Sequence, residues 1–213
     1  MATTILNHAL IDHKLTIMRD KDTKTIVFKD NLDEIAMLMA YEVTKELPLV
    51  DKEIVTPICP MIGKELKKQI ILVPILRAGI GLVDGFRRII PTAKIGHIGM
   101  ARNEETLIPE EYYAKFPSGL EDSIVIIVDP MLATGGSASA AITNIKARGA
   151  KDIRLVCLVG APEGVKVIDD YTVAITLSAP SASFLANMTG APASIYNRKA
   201  VEEGKDKFGF DPE

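Results

Sequence analysis

Ile124-Val125-Ile126-Ile127-Val128-Asp129-Pro130-Met131-Leu132-Ala133-Thr134-Gly135-Gly136-Ser137-Ala138-Ser139 holds a strand, a loop and the start of a helix in sixteen consecutive residues. The apolar, β-branched run Ile124 to Val128 is too short for a helix of its own and reads as a buried strand, ended by Asp129 and Pro130. From Thr134-Gly135-Gly136-Ser137 onward, Ala138, Ala141, Ile142 and Ile145 recur at helical spacing. Arg148 falls in the last turn and Gly149 just past it. A second strand-like run, Ile153 to Val159, follows. Strand, loop, helix and strand make a βαβ unit, whose crossover puts the loop at the carboxyl end of the first strand and the amino end of the helix.

That location carries chemistry. Paired glycines let backbone approach a ligand closely, Ser137 is a good N-cap, and the free N–H groups of a helix start attract phosphate oxygens. The loop reads as a phosphate cradle with Asp129 on its rim. A carboxylate there accepts hydrogen bonds from sugar hydroxyls or acts on a magnesium-bound substrate. The alternative is a glycine-containing βα turn that binds nothing, as many α/β proteins have.

The run Asp129 to Ser137 resembles the phosphoribosyl-pyrophosphate (PRPP) loop of type I phosphoribosyltransferases, in the form used by the uracil phosphoribosyltransferases. The resemblance extends through Val73 to Gly79, Ile95 to Gly99, Tyr112-Tyr113 and Cys157 to Val159, and back to His13 to Arg19. It covers about residues 8 to 175. It implies an α/β fold, a parallel sheet flanked by helices, with a lid loop and a C-terminal hood segment, in a single domain over residues 1 to 213.

The bulk properties agree with such a domain. A chain of 213 residues that is 47% hydrophobic buries a sizeable core. A net charge of −3 argues against a general nucleic-acid binder. Cys59 and Cys157 lie far apart and the second falls in a core strand, so reduced thiols are expected. The N-terminal residues lack a positive region followed by a long apolar core, and no stretch is long enough to span a membrane, so a cytoplasmic protein is expected.

Elsewhere, Asn31 with Glu34 three residues on reads as a capping box opening a helix through Leu32, Ile35, Leu38 and Met39, ended near Lys45 and Pro48. Ile70 to Leu76 reads as a buried parallel strand with Arg77-Ala78-Gly79-Ile80-Gly81 at its tip. A dinucleotide fingerprint would need a third glycine where Asp84 stands. Arg77 instead fits a pyrophosphate clamp, since its planar fork of donors matches phosphate oxygens. Lys94 to Met100 reads as the next strand, running into Arg102. By resemblance Arg102 also touches the diphosphate, with Asn103 where the family has an acid. Pro109 to Gly119 reads as a long loop and the candidate lid.

The resemblance fails after Asp170 to Ile175, a further strand. Nothing from Leu177 to Glu213 matches the family's pyrimidine-recognising hood, and no base-binding residue is assigned. By resemblance, the activity is transfer of the phosphoribosyl group from PRPP to uracil, giving UMP and pyrophosphate. The PRPP-binding loop is Asp129, Pro130, Met131, Leu132, Ala133, Thr134, Gly135, Gly136 and Ser137, in which backbone donors of Ala133 to Ser137, with the Thr134 and Ser137 hydroxyls, hold the 5-phosphate. Asp129 binds the ribose hydroxyls. Arg77 and Arg102, with Mg2+ carried on PRPP and no protein-only metal site, stabilise the leaving diphosphate. A homodimer or higher oligomer and a GTP effector are further expectations of the resemblance. Open alternatives are a transferase for another base, a PRPP-binding protein whose base recognition is lost, and a PRPP-binding regulator that would bind RNA. The acidic balance counts against the last.

Overall fold

A computed structural model describes residues 4–102, 109–161 and 172–175, all within one compact unit, Met1–Ser178. A second unit, Ala179–Glu213, lies outside the described residues, and so does the expected hood.

The elements run β1 (Thr4–Ile5), α1 (Ala9–Arg19), α2 (Thr25–Val43), β2 (Leu49–Val55), β3 (Pro60–Leu66), β4 (Ile70–Leu76), α3 (Ile80–Ile89), β5 (Lys94–Ile95), β6 (His97–Arg102), β7 (Pro109–Lys115), β8 (Ile124–Leu132), α4 (Gly136–Ala147), β9 (Asp152–Gly160) and β10 (Thr172–Ile175). The main sheet has the order β1-β10-β9-β8-β4-β6-β7, with β5 also on β4. Every pairing in it is parallel except that of β6 with β7.

Alternation along the central strands splits the core in two. Ile70 and Leu72 of β4 and Ile124, Ile126 and Val128 of β8 face Ile11 and Leu15 of α1, Ile35 and Met39 of α2, and Leu82 and Phe86 of α3. Ile71, Val73, Ile75, Val125 and Ile127 face the opposite way, onto Ala141, Ile142 and Ile145 of α4. Both faces of these strands are dry, which is why their sequence is a continuous apolar run rather than an alternating one. Burying each such isoleucine contributes about 1.5–3 kcal/mol.

Three expectations are corrected. Asn31 does not cap a helix: it lies buried inside α2, where its Nδ2 donates to Val27 O at 2.8 Å. An amide satisfied by the carbonyl one turn back no longer competes with the helix, so α2 begins at Thr25. Asp129 and Pro130 do not end β8, which continues to Leu132 on the β9 side through Met131↔Val159 and Leu132↔Gly160. Pairing with β4 has already stopped at Pro74↔Val128, so Pro130 interrupts no ladder on that side. Finally, Pro109–Lys115 is no loop but strand β7, antiparallel to β6. Most of the candidate lid, Pro109 to Gly119, is thus a strand of the sheet, and residues 103–108, Asn103 among them, lie outside the described residues.

No pattern in the sequence points to the β2–β3 hairpin. It pairs Leu49↔Leu66 through Val55↔Pro60 and carries the ion pairs Lys52–Glu65 and Lys64–Asp51. Val55, Ile58 and Ile62 on it are 82%, 94% and 63% exposed, which leaves an apolar arm standing off the core.

Candidate active site

Three chain segments leave the sheet at one end. β4 and β8 stay in register to Pro74↔Val128, so Asp129 stands one residue, and Arg77 three residues, beyond that pair. β6 joins β4 through Leu76↔Gly99, which carries the backbone of Arg102 to the same edge. Arg77, Asp129 and the end of β6 therefore share the carboxyl edge of three adjacent parallel strands, where open α/β sheets bind ligands. The side chain of Arg102 lies outside what is described.

Arg77, Ala78 and Gly79 form a turn into α3, and the Leu76–Arg77 peptide is cis. Gly79 seats that turn. A Cβ there would lie 2.5 Å from Val128 O and 2.7 Å from both Ile75 N and Ile75 O. The turn thus rests directly on the strand residue before Asp129. Arg77 is exposed and makes no side-chain hydrogen bond or ion pair among the described residues.

The loop after β8 begins at Ala133. Gly135 has φ 79°, a left-handed conformation that suits glycine, and it stands at the N-cap of α4. Ser137, expected at the cap, is instead the second residue of the helix. The first intrahelical bond runs from Ser139 N to Gly135 O at 2.8 Å. The N–H groups of Gly136, Ser137 and Ala138 consequently have no helical carbonyl to bond, and they point out of the helix start. Asp129, Met131 and the residues Leu132 to Ala138 line a concavity of about 60 Å³. One water-sized group needs roughly 10–15 Å³, so the hollow has room for a group with a handful of oxygens. Pro130 lies beside it on the strand, half-buried, while Ala133 and Thr134 are exposed at its lip.

Asp129 is half-buried, and its Oδ1 takes only a long 3.5 Å bond from Met131 N. Burial pushes its carboxyl up to about 6, and the Met131 N–H lowers it by less. Behind it, in register on β9, is Cys157, fully buried. Burial and the neighbouring Asp129 push that thiol well above its usual range, so it is an inert packing group. Cys59, on the hairpin turn, is exposed and also unpaired.

The structure brings Arg77, Asp129 and the loop to one sheet edge, and it adds Gly79, which the sequence does not single out as the contact between the Arg77 turn and β8. The signal is a glycine two residues after the arginine, which the sequence offers both within the resemblance over Val73 to Gly79 and in an incomplete dinucleotide pattern.

The family model described as uracil phosphoribosyltransferase matches residues 5–179. A uracil phosphoribosyltransferase of Acholeplasma laidlawii is 57% identical over 162 residues, 76% of this chain and 78% of its own. One from Levilactobacillus brevis is 56% identical over 179 residues, 80% of this chain and 86% of its own. Among solved structures, the AQ2163 protein from Aquifex aeolicus superposes with a TM-score of 0.76 at 35% identity, covering 82% of this chain and 86% of that one. A hypoxanthine-guanine phosphoribosyltransferase from Bacillus anthracis, at 15% identity and a TM-score of 0.51, shares the fold. The family match stops at residue 179, close to where the quoted motifs run out. With a family model matched over residues 5–179 and relatives 56–57% identical over most of their own length, this chain belongs to the uracil phosphoribosyltransferase family.

Proposed function

We propose that this protein transfers the phosphoribosyl group from PRPP to N1 of uracil, giving UMP and pyrophosphate, as the names of its relatives describe for them. The observation that carries the reading is the convergence of Arg77, Asp129 and the free N–H groups of α4 on one sheet edge. In this reaction the bond between the anomeric carbon and the diphosphate breaks, the bond to N1 forms, and the N1 proton is lost. Positive charge develops on the ribose, so the site must hold the sugar, neutralise the diphosphate and exclude water.

The roles follow from position. The N–H groups of Gly136, Ser137 and Ala138, with the hydroxyls of Thr134 and Ser137, hold the 5-phosphate in the hollow. Pro130, Met131 and Leu132 carry the chain past the ribose, and Asp129 accepts its hydroxyls. Arg77 and Arg102 take the diphosphate. Among the described residues no group of three His, Cys, Asp or Glu side chains gathers to hold a metal ion, and Asp129 offers a single carboxylate at the rim. That donor set fits a magnesium ion held largely by substrate oxygens. When bound, such an ion neutralises charge on the leaving diphosphate.

The end of the family match at residue 179 favours a second reading, transfer to a different base. Incubation with Mg2+, PRPP and a panel of bases separates the two. UMP from uracil alone supports the first reading, nucleotide from another base supports the second, and saturable PRPP binding without product would mean that base recognition is lost. Self-association follows from the apolar β2–β3 arm, and light scattering on the purified protein tests it. Activation by GTP is read from initial rates with and without the nucleotide. No helix among the described residues is long and apolar enough to cross a membrane.

A further inference from the structure

Strand β7 is tied to α4 at both ends, and one tie ends on the cradle. The register of β6 with β7 shifts between Gly99, opposite Tyr113, and Met100, opposite Glu111, which leaves Tyr112 as an extra, unpaired residue. Gly99 makes room for it, since a Cβ there would come within 2.5 Å of the Tyr112 ring. In a regular strand Glu111 and Phe116, five residues apart, would point to opposite faces. The bulge turns both toward α4.

Arg148, just past the end of α4, meets them. Its Nη2 donates to Glu111 Oε1 at 2.7 Å, its Nη1 donates to Asn144 O at 3.0 Å, and its guanidinium carbon lies 5.6 Å from the centre of the Phe116 ring. The ion pair is partly shielded, with side chains 38% and 24% exposed. The other oxygen of Glu111, Oε2, is buried and accepts no hydrogen bond among the described residues. The carboxylate therefore relies on Arg148 for compensation, unlike a solvated surface pair. At the opposite end, Pro109 packs on Gly136: a Cβ at Gly136 would lie 3.3 Å from Pro109 Cγ. Gly136 is the first residue of α4 and one of the three cradle donors.

We propose that Arg148 and Glu111 are positioning residues that lock β7 along α4, and through Pro109 and Gly136 set the geometry of the phosphate cradle. This rests on the PRPP-binding reading given above. Neither side chain touches substrate in it; both act through the backbone of the cradle.

The test compares the full-length wild type with Arg148→Ala, Arg148→Lys and Glu111→Gln. Titration calorimetry with PRPP and Mg2+ gives Kd, initial rates give KM for PRPP and for the base, and melting curves report folding. Arg148→Ala is expected to raise the PRPP Kd and KM roughly three- to tenfold, within the range of coupling between directly contacting residues. The KM for the base stays unchanged, and Arg148→Lys, which keeps the charge, recovers part of the loss. A folded Arg148→Ala variant with wild-type PRPP affinity, or one that loses both substrates equally, overturns the proposal. Should Arg148→Ala not fold, Glu111→Gln keeps the shape, removes the charge and decides the matter by the same PRPP readout. A wild type that binds PRPP yet makes no nucleotide sinks the functional reading alone, because the Kd comparison still judges the pair. A wild type that does not bind PRPP overturns both.

Discussion

Adding one methyl group at Gly79 should damage activity far more than stability alone explains. The new Cβ would sit 2.5 Å from Val128 O and 2.7 Å from the backbone N and O of Ile75. All three neighbours are backbone atoms of paired strands, so the turn must move rather than they. Overpacking of this kind costs about 1–3 kcal/mol. At about 2–4 °C per kcal/mol for a domain of this size, the melting temperature should fall by roughly 2–12 °C. The same movement lifts Arg77 away from the strand tip by a fraction of an ångström to about 1 Å, and misplacement on that scale costs up to ~100-fold. Gly85→Ala is the control. Its Cβ would run into Asp33 O and Ala36 Cβ, at the crossing of α3 with α2 and away from the sheet edge. Both variants should melt early, but only Gly79→Ala should lose kcat/KM for PRPP when both are assayed well below their melting temperatures. Wild-type PRPP kinetics in folded Gly79→Ala, or an equal loss in Gly85→Ala, would refute the idea that this glycine seats the arginine.

Other outcomes follow from the same edge of the sheet. Asp129→Asn should lower kcat/KM by about 2–4 kcal/mol of transition-state stabilisation, read from steady-state rates. Burial raises the Asp129 carboxyl from its ordinary 3.8 to about 6, so between those values the folded chain binds more protons than the unfolded chain. The stability of the ligand-free protein should then fall as pH rises from about 4 to about 6, by on the order of 2–3 kcal/mol, and Asp129→Asn should abolish that slope in denaturant titrations. Activity runs the other way: kcat/KM should climb with pH through about 6, as the carboxylate that accepts the ribose hydroxyls forms. Ser137→Ala should leave stability within about 0.5 kcal/mol, because Gly135 and not Ser137 stands at the cap, while weakening PRPP binding in calorimetry. Gly135→Ala, at φ 79°, should cost about 1–2 kcal/mol in chemical denaturation.

The centre of the fold was legible because its strands are buried on both faces. Ile70 to Leu76, Ile124 to Val128 and Ile153 to Val159 announce themselves as short apolar runs, and Gly149 with φ 98° marks the end of α4 as its position promised. The candidate residues Arg77 and Asp129 could be named because they follow such runs directly. What failed lay at the periphery. Pro109–Lys115 reads as a loop because its residues face solvent on one side and the side of α4 on the other, with a bulge at Tyr112 that breaks any period of two. The β2–β3 hairpin has both faces exposed, so no burial imprints a pattern on it. Asn31 misled because the same amide that caps a helix also bonds within one. The tail, Leu177 to Glu213, lies outside the described residues.

The sheet order has a consequence for how the chain is made. Ile11, Leu15, Leu32, Ile35 and Met39 of the first two helices pack with Ile70 and Leu72 of β4 and Leu82 and Phe86 of α3, but also with the later-made Ile124, Ile126, Val156 and Leu158, and Thr4 pairs with Ala174. At ribosomal speeds of about 5–20 residues per second, β8 emerges roughly 5–20 s after α2 is complete, and the partner of Thr4 later still. For that interval α3 and β4 alone can cover the apolar stripe of α1 and α2, and the side that meets β8 and β9 stays open. Nascent α1 and α2 thus wait through the synthesis of β8 and β9 for most of their sheet partners, an interval in which a chaperone can hold them.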